Sequence, residues 1–336
     1  MPTARPDNLV DFFRVWRPWP WDVAIVIEDG PEITLDRAQL QELADGREIG
    51  VYSWKEIETE LTEAWIISRR DSAIRAFGFW KAWQQGAETI FTLDDDCYPS
   101  GDNFLHGHLD NLERTPRWES TVSGLRVRGL PYRNLGLLDN VRLSVGLWSG
   151  NPDLDAVQTL AKGTNASDDA LVTRARTRVL PADQYFPISG MNLAVKRDVA
   201  CLMYYPPMGV DSPYRRFDDI WCGLVVQRVF RHLGLRIVCG RPLVNHQRAS
   251  DPFVNLVKES AGIGRNEHIW TAVDEVELSA STPLACMREV GVALETRGEA
   301  DDEYLHRWGR AIQEWCKLFQ EPDTTEARVV ASERKL

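Results

Sequence analysis

The sequence predicts an α/β fold with a mainly parallel central sheet and a helical C-terminal region. Three stretches carry that reading. "DVAIVIEDG" (22–30) is a short apolar run ending in an acidic turn, "RRDSAIRAFGFWKAWQQG" (69–86) has a broad apolar helical face, and "TIFTL" (89–93) is β-branched and aromatic. Strand, helix, strand, with polar residues at each strand's C-terminal end, is the pattern of a parallel sheet. Ligands of such sheets bind beyond the carboxyl ends of the strands.

The elements follow in order. "VWRPWPWD" brings Trp16, Trp19 and Trp21 together, which read as core or as a partner surface. In the first clear helix Asp71 and Ser72 are N-cap candidates, Ile74, Phe77, Phe79, Trp80 and Trp83 form the buried face, and Gly86 is the stop. The middle holds strand-like pieces, "GLRVRGL", "VRLSVGLW" and "SGMNLAV", around a loop-rich stretch, "GNPDLDAVQTLAKGTNASDDA". "FDDIWCGLVVQRVFRHLG" reads as a helix with Asp218 and Asp219 in its first turn and Gly234 at its end. "LRIVCGRPLVNH" reads as one strand delivering His246. From about Glu267 the pattern is helical, amphipathic from Asp302 to Leu318, and residues 321–336 read as a disordered tail.

Composition narrows the function. Of 336 residues, 43% are hydrophobic and 26% charged, as expected of a soluble globular protein. A net charge of -11 argues against nucleic acid or an anionic membrane as partner. An anionic small substrate would then need local positive charge or a metal ion. There is no membrane-length apolar run and no basic-then-apolar leader, and the six cysteines are scattered without a CxxC pair. These features predict a cytoplasmic protein without membrane insertion. The "NAS" sequon at Asn165 reads as chance in that setting. No strand-linked GxGxxG, GK[ST] or GxSxG motif occurs.

The chemistry concentrates in "FTLDDDCY". Three adjacent carboxylates repel unless something positive sits among them. In an extended chain Asp94 and Asp96 would point one way and Asp95 the other, giving a hard oxygen site for Mg²⁺ or Mn²⁺. The alternative is an acidic turn capping a helix. His246, at a strand end, is a candidate imidazole ligand or a structural histidine. "HGH" (106–108) reads as part of a solvated helix or loop. Arg69, Arg70 and Arg75 flank a helix start, where guanidinium forks and backbone N–H groups favour phosphate; a solvated basic turn is the other reading.

In sequence, "ISRRDSAIRAFGF", "FTLDDDCY", "VRGLPY", "GLWSGNPDLDA", "FPISGMNLAVKRD", "RRFDDIWCG" and "NHQRASDPFVNL" resemble the reversibly glycosylated polypeptides, which include the UDP-arabinopyranose mutases. The resemblance implies a GT-A-like nucleotide-sugar fold, a UDP-sugar ligand and a divalent cation, usually Mn²⁺. It makes Asp94, Asp96 and His246 the expected metal ligands. Asp29, Arg70, Asp71, Arg75, Asp95, Gly190 and Asn192 become expected UDP-sugar contacts. Asp218 and Asp219 are expected to bind sugar hydroxyls or move protons, and Arg128 matches the family's glycosylated arginine. Residues 1–265 would form the catalytic domain, 266–320 a helical extension packed on it, and 321–336 the tail. Family members commonly form complexes, so a homo-oligomer is compatible with the resemblance.

Two departures stand out. Leu130, Pro131 and Tyr132 replace the family's Tyr-Pro-Phe beside Arg128, and the strand that precedes the family's "PTIR" has no counterpart before Pro2–Arg5. The latter predicts an upstream start or a sheet with one strand fewer. The expected reaction is interconversion of UDP-arabinopyranose and UDP-arabinofuranose, with reversible self-glycosylation on arginine. A glycosyltransferase acting on a separate acceptor, and an inactive nucleotide-sugar-binding subunit, are the alternatives.

Overall fold

The computed structural model describes residues 1–101, 103–113, 128, 140–151, 153–163, 177–210, 212–247 and 251–320, and over these residues the chain is a mixed α/β protein. Its first layer is a parallel three-stranded sheet of β1 (Pro2–Thr3), β2 (Val23–Glu28) and β3 (Glu48–Tyr52), in that order. Pro2 and Thr3 thus pair with Ile27 and Glu28. Helix α1 (Pro6–Trp16) starts on a proline and buries Leu9, Phe12, Phe13 and Trp16, one stripe at helical spacing. Trp16 is core, and Trp19 and Trp21 pack partly buried around the same cluster, with the Arg47 guanidinium over Trp21. Helix α2 (Arg37–Leu43) is capped by Asp36, and α3 (Trp54–Glu60) opens on a Ser53/Glu56 capping box.

A short 3₁₀ turn capped by Asp71 leads into α4 (Arg75–Gln84), and Gly86, at φ 85°, ends it in the left-handed region. Strand β4 (Thr89–Leu93) follows, then β5 (Cys97–Pro99), α5 (Phe104–Glu113), β6 (Val141–Val145), β7 (Trp148–Gly150), α6 (Ala156–Lys162), β8 (Arg178–Val179) and β9 (Asn192–Lys196). Next come α7 (Asp218–Leu233), β10 (Arg236–Cys239), β11 (Val244–His246), α8 (Pro252–Asp274), α9 (Pro283–Asp301) and α10 (Glu303–Lys317).

The central sheet corrects the sequence expectation. It has five strands in the order β4-β9-β6-β10-β8, and only the β6/β10 pair is parallel. The mainly parallel sheet is the small one at the N-terminus. Strand β2 and strand β4 lie in different sheets: α4 packs on both, but a strand–helix–strand pattern does not by itself dictate that its two strands pair. "LRIVCGRPLVNH" likewise divides into β10 and β11, and β11 joins a third sheet of order β5-β11-β7.

The helical region starts earlier than expected. Asp251 caps α8 and Pro252 opens it, so the anticipated division at 265/266 falls inside a continuous helix. Helix α10 buries Trp308 and Trp315, and the Trp315 indole N–H donates to the Cys201 carbonyl (2.7 Å). The Trp80 indole donates to the Leu318 carbonyl (3.1 Å), locking α4 onto the C-terminal end of α10. His108 is fully buried rather than solvated, because its ring bridges Ser144 and Asn192 at 2.8 Å each. Burial lowers its pKa to about 4, so it packs as a neutral imidazole. All six cysteines are buried thiols. No helix among the described residues is long and apolar enough to cross a membrane. The "GLRVRGL" piece apart from Arg128, the Asn165 sequon and the 321–336 tail lie outside the described residues.

Candidate active site

A cavity of about 860 Å³ opens where β1, β2, β4 and β11 end and α7 begins. Its lining includes Asp29, Arg70, Asp71, Arg75, Asp94, Asp95, Asp96, Asp218, Asp219 and His246, ten of the residues singled out from sequence.

The three aspartates do not alternate. Strand β4 stops at Leu93, and Asp94 to Cys97 form a turn in which the Cys97 N–H donates to the Asp94 carbonyl (3.2 Å). The three carboxylates therefore meet cations from different parts of the chain, with Arg5 shared by Asp95 and Asp96. Asp94 accepts from the Arg75 guanidinium (2.7 Å). Asp95, 3% exposed, accepts the Thr3 hydroxyl (2.6 Å) and Arg5. Asp96 faces Arg5 (3.1 Å) and, at 4.0 Å, the Nε2 of His246. Asp94 and Asp96 thus have different hydrogen-bond partners, and the triplet is a turn rather than the extended chain that alternation assumes, yet both lie close enough to each other and to His246 for the charges to interact.

Arg75 was expected at phosphate. It is 4% exposed and also donates to the Gly190 carbonyl (2.6 Å), the Ser72 carbonyl (3.2 Å) and Thr92 (3.3 Å). Burial, the largest single influence, would lower its pKa, but Asp94, Tyr205 and Asp218 together raise it above its ordinary value. Burial likewise acts to raise the Asp94 pKa, but Arg75, aided by His246 and Arg5, holds it below its ordinary value. For Asp96 burial and the Asp94 charge prevail, and its pKa rises.

A second acidic group faces the first. Asp29 accepts the Trp54 indole N–H (2.8 Å) and the backbone N–H of Arg70 (2.9 Å), yet burial still raises its pKa. Asp218 accepts the Ser72 hydroxyl (2.8 Å), and Asp219 accepts the backbone N–H groups of Gly190 and Ile220 (2.8 Å each). Burial raises Asp218, and burial with the Asp218 charge raises Asp219 well above its ordinary value. Asp71, pressed by burial and by Asp218, is pushed up to about 8. Neighbouring carboxyls whose pKa values are all raised are the kind of group suited to exchanging protons with a bound hydroxyl.

Two expected contacts lie elsewhere. Asn192 is 1% exposed; its amide donates to the Leu147 (2.7 Å) and Pro242 (2.6 Å) carbonyls and its oxygen meets His108. Arg128 is exposed and is not among the cavity-lining residues. Gly190 acts through its backbone, joining Arg75 to Asp219. Conversely, Thr3, Arg5, Trp54, Arg216 and Glu259 serve the site without having been singled out as site residues. "PTAR" was the one local signal for the first two. Glu259 lies inside a long helix, where only tertiary packing turns it inward.

The site's cation fit is partial. His246 has its Nδ1 3.0 Å from the Asn151 carbonyl, the arrangement that orients a ligating imidazole, and its Nε2 faces Asp96. Asp94 has one oxygen taken by Arg75. Among the described residues no group of three His, Cys, Asp or Glu side chains is poised to hold a metal ion. Asp96 and His246 fit two positions of a coordination sphere whose remainder phosphate oxygens and water would fill, as is usual for Mg²⁺-type sites.

A sequence model described as "Reversibly glycosylated polypeptide" matches residues 1–324. Among similar proteins, "Probable UDP-arabinopyranose mutase 1" of Solanum tuberosum is 33% identical, over 96% of this chain and 89% of its own. "UDP-arabinopyranose mutase 1" of Arabidopsis thaliana is 33% identical, over 96% and 91% respectively. "UDP-arabinopyranose mutase 1" of Oryza sativa subsp. japonica is 31% identical, over 98% and 92%.

Proposed function

This chain belongs to the reversibly glycosylated polypeptide family, and from that premise we propose that it is an isomerase interconverting UDP-arabinopyranose and UDP-arabinofuranose. One observation carries the proposal beyond kinship: a single cavity gathers Asp71, Asp218 and Asp219, whose raised pKa values suit proton transfer, beside the Asp96–His246 pair. The proposed setting is a GT-A-like fold in the cytoplasm.

In the proposed reaction the bond between the anomeric carbon and the diphosphate oxygen breaks to leave an oxocarbenium ion. A different sugar hydroxyl bonds to that carbon as it loses its proton, and the bond from that carbon to the former ring oxygen breaks as that oxygen takes up a proton. UDP then recaptures the anomeric carbon. Reclosure needs one hydroxyl deprotonated and the former ring oxygen protonated. Asp218 and Asp219, fixed by Ser72 and Gly190, serve as the groups that accept and return that proton. Asp71 stands behind them as a further proton holder. Asp29, at the end of β2, takes the nucleoside end. The reaction requires water to be kept from the freed sugar, which it would otherwise hydrolyse. Asp96 and His246 would hold a Mn²⁺ or Mg²⁺ ion, and when bound the ion neutralises charge on the diphosphate. Reversible glycosylation falls on Arg128, whose exposure makes it an accessible acceptor outside the cavity.

The test is positional isotope exchange. UDP-arabinopyranose labelled with ¹⁸O at the bridge between sugar and β-phosphorus should lose label to the non-bridging positions on incubation with the protein and Mn²⁺. Label that stays in the bridge while UDP-sugar binds would rule out bond cleavage and with it the proposed reaction.

A further inference from the structure

A buried carboxylate with no part in the proton transfers above marks one wall of the cavity. Glu259, inside α8, is 2% exposed. One of its oxygens accepts the Ala156 N–H at the start of α6 (2.6 Å), and the other accepts the Nε–H of Arg216 (2.7 Å). A single side chain therefore ties α6, α8 and the segment ahead of α7 around the cavity, which Asp155, Gln158, Lys258 and Glu259 line on that side. A buried carboxylate is tolerated only when its charge is answered in this way.

Arg216 is fixed at both ends. Its backbone N–H donates to the Asp71 carboxylate, and its φ is 64°, a left-handed conformation that side-chain-bearing residues rarely adopt. Its Nε is committed to Glu259. Its two terminal nitrogens have no partner among the described residues, and Arg216 lines the cavity. Arg75 is spent on Asp94 and Gly190, and Arg5 on Asp95 and Asp96. Arg70 and Arg215 also line the cavity, but among the described residues neither is held in place by a buried carboxylate as Arg216 is. An entering diphosphate needs a cation that the aspartates have not already claimed.

We infer that Arg216 is a further ligand of the substrate's diphosphate, gripping it through the two terminal nitrogens, with Glu259 as its positioning residue. This rests on the UDP-sugar reading above. A planar guanidinium held at Nε presents the remaining pair as a preset fork for two phosphate oxygens, which a lysine cannot reproduce.

Titration calorimetry with the full chain and Mn²⁺, using UDP and uridine as probes, tests the inference. R216A should lose tenfold or more in UDP affinity with uridine affinity unchanged, and KM for the UDP-sugar should rise. R216K should recover part of that loss. E259Q, which keeps an oxygen for Ala156 but loses the charge facing Arg216, should fall between wild type and R216A. UDP affinity of R216A within twofold of wild type would overturn the assignment. So would a parallel fall in UDP and uridine affinities, since that reports a wall that has collapsed. Wild-type protein that binds no UDP would overturn the UDP-sugar reading as well, whereas wild-type UDP binding unchanged in R216A would remove only this inference.

Discussion

Replacing Arg75 with methionine should destabilise the fold more than any exposed charge change could. The guanidinium is 4% exposed and joins three pieces of chain: the acidic turn after β4, the Gly190 loop and the 3₁₀ turn before α4. Methionine fills much of the stem's volume, so the loss is mainly electrostatic. It leaves the Asp94 carboxylate without its partner, a situation that costs about 3–5 kcal/mol when both halves are fully buried and less here, because the Asp94 side chain is 34% exposed and partly solvated. Against a typical stability of ~5–15 kcal/mol that is a large share. Asp94→Asn in the same background removes the orphaned charge, so the double variant should be more stable than Arg75→Met alone, with a coupling of about 0.5–3 kcal/mol. Urea denaturation followed by circular dichroism measures all four corners of this cycle. A cost below about 1 kcal/mol for Arg75→Met, or effects of the two substitutions that simply add, would refute the reasoning.

Three further outcomes follow from the same geometry. Asp71, with an ordinary value of 3.8, is pushed up to about 8 in the fold, so between those pH values the unfolded chain is ionised while the folded one holds the proton. Stability contributed by this group is therefore greatest below about pH 4 and declines as pH rises toward 8. Asp71→Asn should gain in melting temperature relative to wild type across that window, and a pH-independent difference would contradict the shift. Asp96→Asn or His246→Ala should weaken Mn²⁺ binding in the presence of UDP by at least the ~10-fold that even outer-shell changes cost, measured by titration, and Asp94→Asn should weaken it less. Equal effects at all three positions would show that Asp94 is as much a ligand as Asp96. Gly262→Ala sets a methyl group against the Phe217 ring, just before Asp218. Overpacking should cost ~1–3 kcal/mol and lower kcat by displacing the start of α7; unchanged kcat would separate that packing from catalysis.

Much of the site was legible because it sits on local signals. The helix starts at Asp71 and Asp218, the stops at Gly86 and Gly234, and the strand carrying Ile90 and Phe91 all follow from capping and β-branched pattern, and the two starts and the strand end deliver site residues. The illegible part is tertiary. Pairing partners of strands depend on how helices stack, so β4 against β9 could not be read from the order of elements. The triplet failed as an alternating strand because its chain had already turned at Asp94, with Arg5 and Arg75 arriving from far along the sequence. Asn192 was drawn into the expected site by its neighbours in sequence, while its side chain serves His108 inside the fold. Glu259 carries no pattern, and Arg216 lies in "RRFDDIWCG" with no sign there of what it touches; their joint role exists only as a contact between α8 and the segment preceding α7.

The most direct measurement is the approach to equilibrium from the furanose side: purified protein, UDP-arabinofuranose and Mn²⁺, with the nucleotide sugars separated by chromatography over time. The account predicts the appearance of UDP-arabinopyranose, its rate cut sharply in Asp219→Asn. UDP-arabinofuranose that stays unchanged, in protein that binds UDP, would contradict it.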